Sequence, residues 1–109
     1  TFDIGYMLNN DSEALLPDVF ALHQNYPNPF NPVTTIRFDV PEVSRVRIDI
    51  YNVMGQKVAA VVDAHYQPGF HAVNWGGKTT SGSALSSGMY FYRIQADNFT
   101  AVKKLILVK

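Results

Sequence analysis

Residues 34–51 read Thr34-Thr35-Ile36-Arg37-Phe38-Asp39-Val40-Pro41-Glu42-Val43-Ser44-Arg45-Val46-Arg47-Ile48-Asp49-Ile50-Tyr51. Successive side chains of a β-strand point to opposite faces, so alternation of apolar and polar residues marks a strand with one face buried. Ile36, Phe38 and Val40 share one face, with Thr35, Arg37 and Asp39 on the other. Val46, Ile48 and Ile50 repeat the pattern against Arg45, Arg47, Asp49 and Tyr51. Pro41 has no N–H to give to a ladder, so the link between the two strands is a turn.

The same signals recur towards the C-terminus. Asn52-Val53-Met54-Gly55 is a turn in which Gly55 suits a positive φ. Lys57 to Val62 reads as the next strand, and Phe70 to Trp75 as another, entered through Pro68-Gly69. A loop rich in Gly, Ser and Thr fills 76–88. Met89 to Ala96 then carries Tyr90, Tyr92, Ile94 and Ala96 on one face. Asp97-Asn98 is a two-residue hairpin turn, both residues tolerating left-handed geometry. Phe99 to Val108 is the last strand. With a further short strand near Val19 to Leu22, the count predicts an all-β fold, an Ig-like antiparallel β-sandwich of about seven strands. No segment has helical periodicity and no internal repeat is evident. Leu105, Ile106, Leu107 and Val108 are apolar on both faces. Either this strand is covered on both sides, or one face or edge docks a partner.

Towards the N-terminus lies Asn25-Tyr26-Pro27-Asn28-Pro29-Phe30-Asn31-Pro32. Its prolines exclude helix and central strand, and each pushes the preceding residue towards extended geometry. A stiff, extended entry strap is expected, pinned to the sandwich by Tyr26 and Phe30. Further upstream, Phe2, Ile4, Tyr6 and Leu8 alternate as a strand would, Asn9 to Ser12 form a turn, and Glu13 to Leu16 read as a short helix capped by Ser12 and stopped by Pro17. The expected division is 1–20 as the end of an upstream domain with its linker, and 21–109 as the Ig-like domain. The alternative is that 1–8 is the first strand of this same domain. Since the chain begins at Thr1, it reads as a piece of something longer.

Composition narrows the function. At 109 residues, with 47% apolar and 13% aromatic content, there is material for one domain with a real core. The formal net charge is zero, against the basic excess of nucleic-acid binders. That zero is uneven: Asp3, Asp11, Glu13 and Asp18 stand in 1–20 without a Lys or Arg, while the remainder has nine bases and five acids. There is no cysteine, hence no disulfide and no thiolate chemistry. No apolar run approaches the about 18 residues of a membrane-spanning helix. His23, His65 and His71 do not stand at metal-ligand spacing, no serine sits in a G-x-S-x-G elbow, and no glycine loop opens a helix to cradle phosphate. Neither enzyme activity nor a metal or other cofactor is expected. The aromatic residues first serve the core of so small a sandwich.

Taken in order, the motifs resemble the type A C-terminal sorting domains of the type IX secretion system. Leu22 to Pro32 followed by Thr34 to Phe38 resembles the family's opening. Ile50 to Val58 is similar to its Y-[DN]-x-x-G-[RQ]-x-V hairpin, Pro68 to His71 and Val73 to Trp75 to its next strand, and Gly82, Leu85, Gly88, Tyr90 and Tyr92 to G-x-x-L-x-x-G-x-Y-x-Y. Lys104 to Lys109 looks like its K-x-x-x-x-K ending. Family members carry acidic or Asn residues after the Trp, whereas Gly76 and Thr79 stand here, which puts loop bracing and cation binding at that turn in doubt. The resemblance implies an Ig-like domain, related in appearance to that of the flagellar hook-capping protein. It implies a sorting and cell-surface attachment signal for an upstream passenger domain. The outer-membrane translocon would recognise it after passage through the periplasm. A sortase of the cysteine-protease type would then cut within about 9–21, and the mature protein would be joined to an anionic lipopolysaccharide. The candidate sorting-motif residues are Asn28, Pro29, Phe30, Asn31, Pro32, Gly55, Gly88, Tyr90, Lys104 and Lys109. An accessory carbohydrate-binding or adhesion module, or a structural spacer, is the alternative.

Overall fold

The alternation along 34–51 becomes burial. Ile36, Phe38, Val40, Val46, Ile48 and Ile50 have no accessible surface, in a computed structural model that describes residues 6–8 and 15–109. Each such side chain contributes roughly 1.5–3 kcal/mol relative to its exposed state. The strands are β1 (Tyr6–Leu8), β2 (Leu15–Pro17), β3 (Ala21–Leu22), β4 (Thr34–Val40), β5 (Ser44–Tyr51), β6 (Lys57–Tyr66), β7 (Gly69–Trp75), β8 (Gly88–Ala96) and β9 (Phe99–Leu107). The described residues include no helix. Strands β3 to β9 form two antiparallel sheets, ordered β3-β4-β7 and β6-β5-β8-β9, which face each other as an Ig-like sandwich. Phe38 and Ile36 from one sheet and Ile48, Ile50, Tyr92 and Leu105 from the other fill the space between them.

One departure from strict alternation has a local cause. Val58, Ala59, Val61 and Val62 are apolar without period two, yet Ala59 and Val62 both point inward. The β5–β6 register shifts between Ile48 and Asp49, so one extra residue of β6 is absorbed and both side chains reach the core. Strand β6 also runs on to Tyr66, four residues past its expected end. Tyr66 packs edge-on against Phe38 at 5.1 Å and against His71 at 4.8 Å. His71 is thus a packed residue, its Nε2 2.7 Å from the Gln67 carbonyl.

Of the short helix expected from Glu13 to Leu16, the described residues Leu15 and Leu16 lie in a strand instead. Leu15–Pro17 is a strand, paired antiparallel with Tyr6–Leu8 and lying beside β7. Cross-strand pairing outweighs a local cap in so short a segment. Phe2, Ile4, the Asn9 to Ser12 turn, the Ser12 cap and Glu13 lie outside the described residues. Gly69 and Gly88, read at the turn and loop leading into their strands, are the first residues of β7 and β8. Gly55, Gly77 and Gly82 stand in turns at φ 83°, 70° and 96°.

The last strand alternates after all. Leu105 and Leu107 are buried, while Ile106 and Val108 are 37% and 45% exposed on the outer face. The strap covers the edge of this strand and leaves its outer face bare.

Candidate functional site

The strap is built around a buried polar knot. Asn25, 2% exposed, donates its backbone N–H to the Tyr92 hydroxyl at 2.8 Å, and Tyr92 donates onward to the His23 carbonyl at 2.6 Å. The Asn25 amide donates to Thr34 Oγ1 at 2.9 Å, and Thr34 donates to the Pro27 carbonyl at 2.9 Å. Buried polar groups cost free energy unless paired, so this closed set specifies one path for the chain. Burial pushes the Tyr92 phenol up to about 12, offset in part by its bond to Asn25. A hydroxyl kept neutral in this way can both donate and accept.

From this knot the chain crosses between the sheets. Tyr26 pairs with Thr35 of β4, and Phe30 pairs, in parallel, with Leu107 of β9. Bends at 27–29 and 31–32 join these two contacts, and the peptide bonds before Pro27, Pro29 and Pro32 are cis. With bends at 27–29 and 31–32, the strap is bent rather than extended, because its partners lie in different sheets. Tyr26 does not pin it: its side chain is 73% exposed, and only its backbone is held. Phe30 does, at 1% exposed, tilted against Trp75 at 5.7 Å.

The strap closes the outer edge of the last strand. Asn28 Oδ1 accepts the Ile106 N–H at 2.9 Å, Phe30 donates to the Ile106 carbonyl at 3.0 Å, and the Val108 N–H returns to the Phe30 carbonyl at 3.0 Å. Gln24 donates to the Lys104 carbonyl at 2.7 Å. An edge strand with free N–H and C=O groups invites pairing with other chains, and these bonds occupy the end of that edge. Lys103, facing Tyr92 across the β8–β9 ladder on the inner side, blunts the middle of it. Gly77 backs the contact: a Cβ there would stand 3.3 Å from both methyl carbons of Leu107 and 3.7 Å from Phe30.

Most of the expected motif residues meet at this end of the sandwich. Gly88 lies opposite Leu107 and Tyr90 opposite Leu105. Tyr90 is buried and donates to the Ser86 carbonyl at 2.8 Å, while the Lys109 N–H is held by Ser87 Oγ at 2.9 Å. Asn28, Pro29, Asn31 and Pro32 are exposed around the buried Phe30, and Lys104 and Lys109 are exposed. Gly55 is the outlier, in the turn after β5. There Asn52 Oδ1 accepts from Met54 and Gln56 at 2.9 and 3.0 Å, and the turn sits across a groove from Gly88 and Met89. The residues missed in the sequence are Asn25, Thr34, Gly77 and Ser87. A polar residue next to a proline run signals a strap, but not which distant hydroxyl completes its bonding.

The loop after Trp75 is braced, contrary to the doubt raised by Thr79. Thr79 N donates to the Ser83 carbonyl at 2.8 Å and Thr79 Oγ1 accepts the Ser83 N–H at 3.0 Å. Thr80 Oγ1 accepts the Ala60 N–H at 3.0 Å, tying the loop to β6. Among the described residues, no three His, Cys, Asp or Glu side chains converge to hold a metal ion.

The family model of the secretion system C-terminal sorting domain matches residues 24–109, from the knot to the last lysine. The chain belongs to that family. It is a sorting domain of type IX secretion, and the protein that carries it is secreted or held at the cell surface. A similar solved structure is dimeric latent PorU from Porphyromonas gingivalis, with a TM-score of 0.69 and 22% identity. The match covers 84% of this chain and 9% of that much longer one, and at this identity it shows the shared fold. No curated protein matches.

Proposed function

We propose that residues 21–109 form the signal by which the outer-membrane translocon recognises an upstream passenger, with 1–20 as the end of that passenger and its linker. The recognised feature is the terminal strand with its strap, including Asn28 to Pro32, Gly88, Tyr90, Lys104 and Lys109, with Gly55 in the adjoining turn. The observation that carries this reading is their convergence: motifs about 80 residues apart in sequence are joined by the Asn28–Ile106 and Phe30–Val108 hydrogen bonds. A sortase-type cysteine protease then cuts within about 9–21, and the passenger is joined to an anionic lipopolysaccharide. The domain itself performs no catalysis in this scheme. A carbohydrate platform is less well supported, since the two large exposed aromatics among the described residues, Tyr26 and Phe70, pair with Thr35 and Asp39 and so stand apart along β4.

The test is export of a reporter fused to residues 1–109 in a bacterium with a working type IX system. Removing 104–109 deletes the buried Leu105 and Leu107, so a folded companion is needed. In Lys104→Glu with Lys109→Glu both changes are at exposed positions. Surface reporter for the parent and periplasmic reporter for the charge-reversed fusion support the reading. Periplasmic retention of the parent sinks it.

A further inference from the structure

The outer face of the four-stranded sheet carries a cluster of exposed apolar side chains at one end. Read across β6, β5, β8 and β9, its rows are Asp63-Arg47-Gln95-Thr100, Ala60-Asp49-Arg93-Val102 and Lys57-Tyr51-Phe91-Lys104, ending in Met89-Ile106. Towards the strap the face becomes apolar. Met89, Val102, Ile106 and Val108 are each more than a third exposed, and so are Val53 and Met54 in the neighbouring turn. A groove of about 290 Å³ runs between that turn and Val102, walled by Tyr51 and Phe91 with Arg93 at its side.

The charges around this patch are one-sided. Arg45, Arg47, Lys57, Arg93 and Lys104 stand on the face against Asp49 and Asp63. Asp63 is taken by Arg45 at 2.6 Å. Asp49 is nearly buried, with Arg47 and Lys57 at 3.4 and 3.3 Å. Arg93 and Lys104 keep no acidic partner among the ion pairs of the described residues, and the buried Nε of Arg93 has no hydrogen bond. Arg93 is held in place over the Tyr51 ring, 5.1 Å from its centre, and donates to the Tyr51 hydroxyl at 2.8 Å. Met, aromatic and Arg side chains around an apolar centre are the composition of protein interfaces. A cation fixed on an aromatic ring is pre-ordered for a carboxylate and loses little freedom when one arrives.

We infer that the outer face of β8 and β9, from Met89 and Ile106 to Arg93 and Lys104, is the docking surface for a protein partner with an apolar centre and an Asp- or Glu-bearing rim. This rests on the sorting reading, and deepens it by placing the contact on the bare face of the last strand, while its edge is held by the strap. Charge complementarity selects the rim, and the groove between the 52–55 turn and Val102 gives a protein side chain a place to seat.

The experiment fuses the full chain to a reporter and compares Met89→Asp with Ile106→Asp, and Arg93→Glu with Lys104→Glu, in the same bacterium. Val43→Asp is the control, because Val43 is more exposed than Met89 and Ile106 but sits in the turn before β5, at the opposite end of that strand from Tyr51. Melting curves of the purified chains check that all variants fold. The expected result is a drop of tenfold or more in surface reporter for each double variant and none for the control. If both double variants reach the surface as well as the control, the docking surface is wrong while the sorting reading stands. If the unsubstituted fusion is retained, both fall. If the full chain binds phosphatidylglycerol vesicles and both double variants abolish that binding, the face belongs to lipid and the protein partner is wrong.

Discussion

Replacing Tyr92 by Phe removes a hydroxyl and leaves the ring, so it tests the knot without opening a large cavity. The hydroxyl accepts from Asn25 N, at the start of the strap, and donates to His23 O, just before it. Leaving a buried backbone group unpaired costs about 1–3 kcal/mol, and His23 is exposed enough for water to replace part of its bond. The expected loss is therefore about 2–3 kcal/mol at neutral pH. For a domain of this size that is a fall in Tm of roughly 10–20 °C. A second signature comes from pH. The phenol titrates near 10 in the unfolded chain and at about 12 in the folded one. Between those values the unfolded state has released the proton that the native state keeps, so stability falls as pH rises. This contribution is complete below pH 10, and about 2–3 kcal/mol of it is lost on the way to pH 12. Urea unfolding of both proteins from pH 7 to 12 measures the difference, with the other tyrosines and lysines cancelling. The gap between parent and Tyr92→Phe should narrow above pH 10, and amide exchange at Asn25 and Phe30 should quicken in the variant. A Tyr92→Phe protein within 0.5 kcal/mol of the parent, or a gap that does not change with pH, would refute the account of the knot.

Phe30→Ala empties a site that is 1% exposed against Trp75, and should cost about 3–5 kcal/mol in chemical denaturation, with the Trp75 fluorescence changing in the native state. Gly77→Ala and Gly55→Ala place a side chain at similar positive φ, 70° and 83°. Only at Gly77 does the new Cβ meet Leu107, at 3.3 Å, so Gly55→Ala should cost about 1 kcal/mol of backbone strain and Gly77→Ala distinctly more. Equal melting shifts for the two would show that the Leu107 contact yields without cost.

The strand faces were legible from residues 34–51 and 89–96 because period two is a local property: Ile36, Phe38, Val46, Ile48, Tyr90 and Tyr92 are buried as their alternation requires. The two-residue turn at Asp97-Asn98 was equally local, and Asp97 adopts φ 52° there. The motif spacing carried the family, since the matching residues run in register from the strap to the last lysine. The strap was legible as a rigid segment but not as a bent one, because its shape depends on Thr35 and Leu107, partners that local pattern cannot name. The β6 bulge and the Leu15–Pro17 strand were hidden for the same reason. So was the meaning of Leu105 to Val108. Sequence could say that the strand is apolar on both sides, but only the register with β8 shows that Leu105 and Leu107 fill the core while Ile106 faces outward beside Met89. Alternation assigns a residue to a face, and tertiary packing alone decides which faces are covered and which polar groups find each other across the fold.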